Sequence, residues 1–205
     1  MNLKKLTGFG IVIAAILVLG FTVRHAVYYA PDTEVTPPAM VLGTTTTSTM
    51  VSAQSPEPSQ PLRLIIPSIG VNANVQYVGV KADGSMGTPN NFTDVAWYKY
   101  GPVPGDTGSS VIDGHVDNAL ALSGVFKHLG DVKIGDDIYV MRKDGTKLHF
   151  RVMDTEMYSY KTAPNEKIFA TEGGKFLNLI TCAGTWIKGE HSYDERLVVY
   201  TELVS

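Results

Sequence analysis

Phe176-Leu177-Asn178-Leu179-Ile180-Thr181-Cys182 is a short run, apolar but for Asn178, Thr181 and its closing cysteine, followed by Ala183-Gly184, where a chain can turn. It predicts a buried strand that ends on Cys182. Segments of the same kind recur on both sides. Leu62-Arg63-Leu64-Ile65-Ile66 is ended by Pro67, Val75 to Val80 follows, and Ser109-Ser110-Val111-Ile112-Asp113 is entered from Pro104-Gly105-Asp106. Ile138-Tyr139-Val140-Met141 runs into Asp144-Gly145, a hairpin signal, and leads to Leu148–Met157. Leu197-Val198-Val199-Tyr200-Thr201 closes the series. Helical patterns are few: Ala119–Leu129 is the best candidate, with a shorter one near Asn165–Ala170. About eight strands separated by turns, in a chain with 20 Gly and 11 Pro, predict a mainly β fold, a closed barrel or a sandwich.

The 205 residues hold one ordinary domain and some extra length. The extra length is N-terminal. Lys4 and Lys5 precede a run from Leu6 to Val23 without a charged residue, and Arg24-His25 closes it. At 1.5 Å per residue such a helix spans roughly 27 Å, close to the thickness of a bilayer's hydrocarbon core. A cleaved signal peptide is the competing reading. Its apolar run is usually shorter, and Arg24-His25-Ala26-Val27-Tyr28-Tyr29-Ala30 is a poor cleavage site. We therefore expect residues 1–5 to be cytoplasmic, 6–23 to be an uncleaved transmembrane anchor, and the rest to face outward. Residues 24–61 become rich in Pro, Thr and Ser, with a run from Thr44 to Thr47. That composition buries too little apolar surface to offset its ordering entropy and predicts a flexible stalk. The domain proper is expected over 62–205.

A net charge of −3 with no long basic run gives nucleic-acid binding no support. A single Cys excludes a disulfide within the chain. Cys182 is compatible with a buried residue, a free thiol or a nucleophile, and a lone thiol on an exported protein calls for an explanation. A free thiol is mostly protonated at neutral pH and needs a nearby base or cation to act. Of the five histidines, His25 abuts the membrane run, His128 ends the helical pattern, His149 lies in a strand and His191 in a polar loop. His115 follows Val111-Ile112-Asp113-Gly114, so it too stands at a strand end. Arg196 enters the last strand in Asp194-Glu195-Arg196-Leu197. As a surface ion pair with Asp194 or Glu195 it contributes little. If its strand pairs beside that of Cys182, its guanidinium can stabilise a developing oxyanion.

Val111-Ile112-Asp113-Gly114-His115-Val116-Asp117, then Leu179-Ile180-Thr181-Cys182, then Arg196-Leu197-Val198-Val199 resembles the signature of the sortase family: His, a Thr-Cys strand end, then Arg. The resemblance covers Leu62–Ser205, and the Asp-Gly-His-Val-Asp spelling is most similar to the class F group. It implies a closed eight-stranded sortase-type barrel with one or two short helices, and a catalytic set of His115, Cys182 and Arg196. It further implies a cysteine transpeptidase acting on surface proteins with an LPxTG-like C-terminal sorting signal. The signal is cut between Thr and Gly through a Cys182 thioester, and the acyl group passes to an amine such as a peptidoglycan precursor. Thr181 matches the Thr before the family's Cys. The expected setting is the cell membrane of a Gram-positive-type bacterium, single-pass, with the catalytic domain outside.

Other readings fit less well. An L,D-transpeptidase carries its Cys in a Ser/Thr-His-Gly-Cys motif, which is absent here. A papain-like protease has Cys before His. Scattered His and one Cys give no zinc spacing, and 161–175 carries only Glu166 and Glu172, so neither a metal nor a cofactor is expected. The non-enzymatic alternative is a membrane-tethered β-barrel that binds or scaffolds, with Cys182 as a core residue.

Overall fold

The structure is a computed structural model that describes residues 59–204 except 119 and 121. The expected anchor over 6–23 and nearly all of the expected stalk lie outside the described residues. Among the described residues no helix is long and apolar enough to cross a membrane.

Eight strands form the domain: β1 (Pro61–Ile66), β2 (Val71–Val78), β3 (Val95–Tyr98), β4 (Gly108–Asp113), β5 (Asp137–Arg142), β6 (Lys147–Ser159), β7 (Lys175–Ile187) and β8 (Ser192–Leu203). They close into a barrel in the order β1-β2-β3-β4-β7-β8-β6-β5, sealed where β1 meets β5. The pairs β2–β3 and β4–β7 are parallel; the other pairs are antiparallel. The eight-stranded closed barrel is the expected fold.

Side chains alternate across a strand, and this parity decides where the chemistry sits. On β7, Leu177 and Leu179 point into the barrel among Leu64, Ile112, Phe150 and Val199, all fully buried. Asn178, Ile180 and Cys182 point outward. Beyond the barrel wall lies a second apolar cluster of Val111, Ile168 and Val198, with Ile180, Tyr98, Phe169 and Tyr200 against it. Ile168 belongs to α1 (Asn165–Ile168), a single turn in the β6–β7 connection that lies on the outer face of β4, β7 and β8. β7 is therefore covered on both faces, which is why it reads as a nearly continuous hydrophobic run.

Three local features depart from the sequence expectations. The helix over 119–129 is not formed. Asp117 instead bridges Ser123, the Asn118 N–H donates to the Leu122 carbonyl at 3.0 Å, and the Gly124 N–H donates to Val116 at 2.9 Å. Asn118 Oδ1 accepts from the N–H groups of Leu120 and Leu122, at 2.9 and 3.0 Å. This asparagine offers the backbone a tight loop in place of a helix. A short 3₁₀ turn follows at Leu129–Asp131, so His128 caps no α-helix C-terminus; it pairs with Asp131 at 2.9 Å on the surface. Second, β7 does not end at Cys182 but continues to Ile187 through a bulge, where the register shifts between Ala183 and Trp186. Gly184 takes φ +79° there, and a Cβ would collide with the Asp194 carboxylate. Third, β3, Val-Ala-Trp-Tyr, is a strand that the sequence reading did not name.

Candidate active site

Cys182 stands directly opposite Arg196 on the β7–β8 ladder, while Asp113 pairs with Ile180 on the β4–β7 ladder. By parity these side chains share the outer face of the barrel. They open into a cleft of about 590 Å³, whose lining includes Asp113, His115, Cys182 and Arg196, with Ile168 and Phe169 from the α1 side and Lys81 from the β2–β3 connection. The three residues singled out in the sequence are thus brought to one cavity. Cys182 is partly exposed there and is not a core residue.

His115 lies just past β4 and is braced from both sides. Its carbonyl accepts from Phe126 N–H at 2.9 Å, and its ring lies 4.7 Å from the Phe92 ring. Its Nε2 is 3.0 Å from the Pro89 carbonyl. A carbonyl only accepts, so Nε2 carries the proton in this contact and Nδ1 is the nitrogen left for exchange. Gly114 makes the approach possible, since a Cβ would fall 2.6 Å from Phe126 Cδ2. The segment is stitched to β7 by two bonds. Gly114 N–H donates to Ile180 O at 3.2 Å, and the buried Thr181 hydroxyl donates to Gly114 O at 2.7 Å. Thr181 faces away from Cys182 yet fixes where the histidine loop leaves the barrel.

Arg196 makes no ion pair among the described residues. Nη1 donates to the carbonyls of Tyr193 and Glu195, at 3.0 and 2.8 Å, and Nη2 donates to Ser192 Oγ at 3.0 Å. The guanidinium carbon sits 5.5 Å from the Tyr160 ring centre. Asp194, a candidate ion-pair partner in the sequence, accepts from Thr185 N–H instead. These bonds use three of the five guanidinium N–H groups. The others remain for an anion in the cleft.

Burial pushes the Cys182 thiol up from its ordinary value, and the carboxylates of Asp113 and Asp117 add to the rise; Arg196 and Lys81 oppose it. At neutral pH the resting group is therefore a thiol. Asp113 is itself pushed up to about 6, mainly by desolvation, against the pull of His115, Lys81 and Arg196. Neither Asp113 nor Lys81 was singled out from the sequence. Asp113 closes β4, two residues before His115. Lys81 carries no local signal.

The other histidines have separate roles. His149 Nε2 meets Asp137 Oδ1 at 2.7 Å and stacks on Tyr139, which makes it structural. His191 occupies the β7–β8 turn with φ 49°. His25 lies outside the described residues.

Comparison with known proteins agrees with this architecture. Solved structures with similar folds include sortase C-1 from Actinomyces oris, with 23% identity and a TM-score of 0.55 over 71% of this chain and 76% of that one. Sortase A from Corynebacterium diphtheriae is similar at 23% identity and a TM-score of 0.55, over 72% of this chain and 62% of that one. A Clostridium perfringens sortase D5 transpeptidase is similar at 16% identity and a TM-score of 0.53, over 71% and 79%. At these identities the likeness is one of fold. No curated protein sequence gave a match. The sequence profile of the sortase domain matches residues 64–204, the whole barrel from β1 to the end of β8, and the chain belongs to the sortase family of cysteine transpeptidases.

Proposed function

We propose that this chain is a membrane-anchored, class F-like sortase that joins surface proteins to an amine outside the cell, using Cys182, His115 and Arg196. The observation that carries the reading is the convergence of these three side chains on one cleft, with Cys182 and Arg196 paired across β7–β8. The resting thiol passes its proton to His115 as the sulfur attacks the carbonyl of the Thr–Gly bond in an LPxTG-like signal. The tetrahedral oxyanion takes hydrogen bonds from the remaining guanidinium N–H groups of Arg196. The C–N bond breaks as His115 returns the proton to the departing glycine amine, which leaves an acyl thioester on Cys182. An incoming amine, from a peptidoglycan precursor or a lysine, gives up a proton to His115 and attacks the thioester carbonyl. The new amide forms and the thiol is regenerated. The apolar run over 6–23 supports membrane attachment with the barrel outside. The tethered binding-module reading needs Cys182 among the core side chains, and the cleft-facing position weighs against it.

The test is transpeptidation by residues 59–205 on a panel of fluorescent LPxTG-like peptides with an amine acceptor, beside Cys182→Ala. Cleavage between Thr and Gly, a trapped adduct on Cys182 and loss of both in the variant are expected. A folded domain that neither turns over any peptide nor forms an adduct would sink the proposal.

A further inference from the structure

The β4–β5 connection and the β7–β8 hairpin meet at one hydrogen bond outside the three-residue set. Tyr193 Oη donates to Asp117 Oδ2 at 2.6 Å, a short charge-assisted bond. Asp117 lies two residues past His115, in the loop that Asn118 holds tight. Tyr193 opens β8, opposite Trp186 across the bulge, and its ring packs edge-on against that indole at 5.3 Å. The backbone carbonyl of the same Tyr193 receives Arg196 Nη1 at 3.0 Å. One tyrosine therefore touches the histidine loop through its side chain and the arginine through its main chain. A bulge interrupts the ladder and bends its strand, and here the register breaks between Ala183 and Trp186, beside the tyrosine and the arginine.

We propose that Asp117 and Tyr193 form a clasp that fixes the β7–β8 hairpin to the His115 loop and thereby holds the Arg196 guanidinium at the cleft beside Cys182. Both are positioning residues for the transpeptidation. The inference rests on the role given to Arg196 above. Without the clasp the hairpin keeps its ladder, but the carbonyl of Tyr193 moves and the guanidinium loses its fixed aim. Preorganised donors act through such aim, and misplacement near 1 Å suffices for a loss of about a hundredfold. Asp117 has a second effect through its charge, since it is one of the two carboxylates that hold the Cys182 thiol up, with Lys81 and Arg196 acting the other way. The two clasp residues can thus be told apart.

The experiment compares Tyr193→Phe, Asp117→Asn and the double variant with wild type and Arg196→Ala in residues 59–205. It reads kcat and KM on an accepted peptide, thermal melting, and the pH dependence of Cys182 alkylation by iodoacetamide. Each single variant is expected to lose kcat by roughly 10- to 100-fold with KM within about threefold, and the double variant to lose no more than the worse single one. Asp117→Asn is expected to move the alkylation profile to lower pH, while Tyr193→Phe, which keeps the carboxylate, leaves it near wild type. Full kcat in Tyr193→Phe beside an inactive Arg196→Ala would overturn the clasp. So would multiplicative losses in the double variant, or losses that track a fall in melting temperature. An active Arg196→Ala would instead overturn the role of Arg196 itself.

Discussion

Asp113 and Cys182 share a cleft, and the Asp113 carboxylate raises the cost of ionising the thiol. Asp113 titrates at 3.8 when free and at about 6 in the fold, with desolvation as the main cause. Its folded form binds the proton more tightly than the unfolded chain does. It therefore destabilises the protein above about pH 6, and this cost fades as pH falls toward about 4. Asp113→Asn is expected to raise stability at pH 8 by up to about 3 kcal/mol, at about 1.4 kcal/mol per pH unit between the two titrations, with no difference near pH 4. Denaturant unfolding at both pH values checks this; an unchanged difference across the range would refute it. The same substitution removes an anion facing the thiol, so alkylation of Cys182 should begin at lower pH than in wild type. At this scale the sequence was informative where residue chemistry is rare. A lone Cys, one His after a strand and an Arg entering another strand stood out. Asp113 and Lys81 did not, because acidic and basic side chains are common and only folding reveals which ones lose their water.

At the scale of elements, the position of His115 depends on a glycine and a threonine more than on its own contacts. Gly114 leaves room for the Phe126 ring, and a Cβ there would also fall 2.8 Å from Val125 Cγ1. Phe126 is fully buried and cannot retreat without opening the core. Gly114→Ala is expected to cost about 1–3 kcal/mol and to push the histidine loop away from β7. kcat should fall by at least about tenfold while the remaining folded protein still alkylates at Cys182. Melting curves together with kinetics check this, and wild-type kcat in the variant would show that the loop tolerates the shift. β7 was legible as a strand because both its faces are buried and its first half reads as a nearly continuous apolar run. The helix expected over 119–129 misled because its apolar spacing fits a helix, while Asn118 captures the amides that a helix would need. β3 was missed because four residues are too few to display a period. The continuation of β7 past Cys182 was hidden by Ala183-Gly184, a pair that serves a turn and a bulge equally well.

For the whole molecule, closure of the barrel depends on its first strand. β1 pairs with β2 on one side and β5 on the other, so the two ends of the sheet are joined there. The seam begins before the expected domain start at Leu62. Pro61 O accepts from the Tyr77 hydroxyl at 2.7 Å, and Gln60 O accepts from Lys143 N–H at 2.9 Å. Gln60 Oε1 takes the Lys143 ammonium at 2.9 Å, and Ser59 Oγ accepts from Asp144 N–H at 2.9 Å. Residues 59–61 thus behave as the edge of the domain, although their Ser-Gln-Pro spelling continues the stalk composition, and nothing in it signals pairing. Hydrogen bonds of this kind contribute about 0.5–1.5 kcal/mol each, and the exposed ones sit at the low end. A chain starting at Leu62 should therefore be less stable than one starting at Ser59 by about 2 kcal/mol, and should melt roughly 4–8 °C lower. None of these residues lines the cleft, so kcat of the folded protein should be the same for both. Equal melting temperatures would mean that the β1–β5 ladder alone seals the barrel. A fall in kcat without a fall in stability would mean that the seam is coupled to the cleft through the barrel wall.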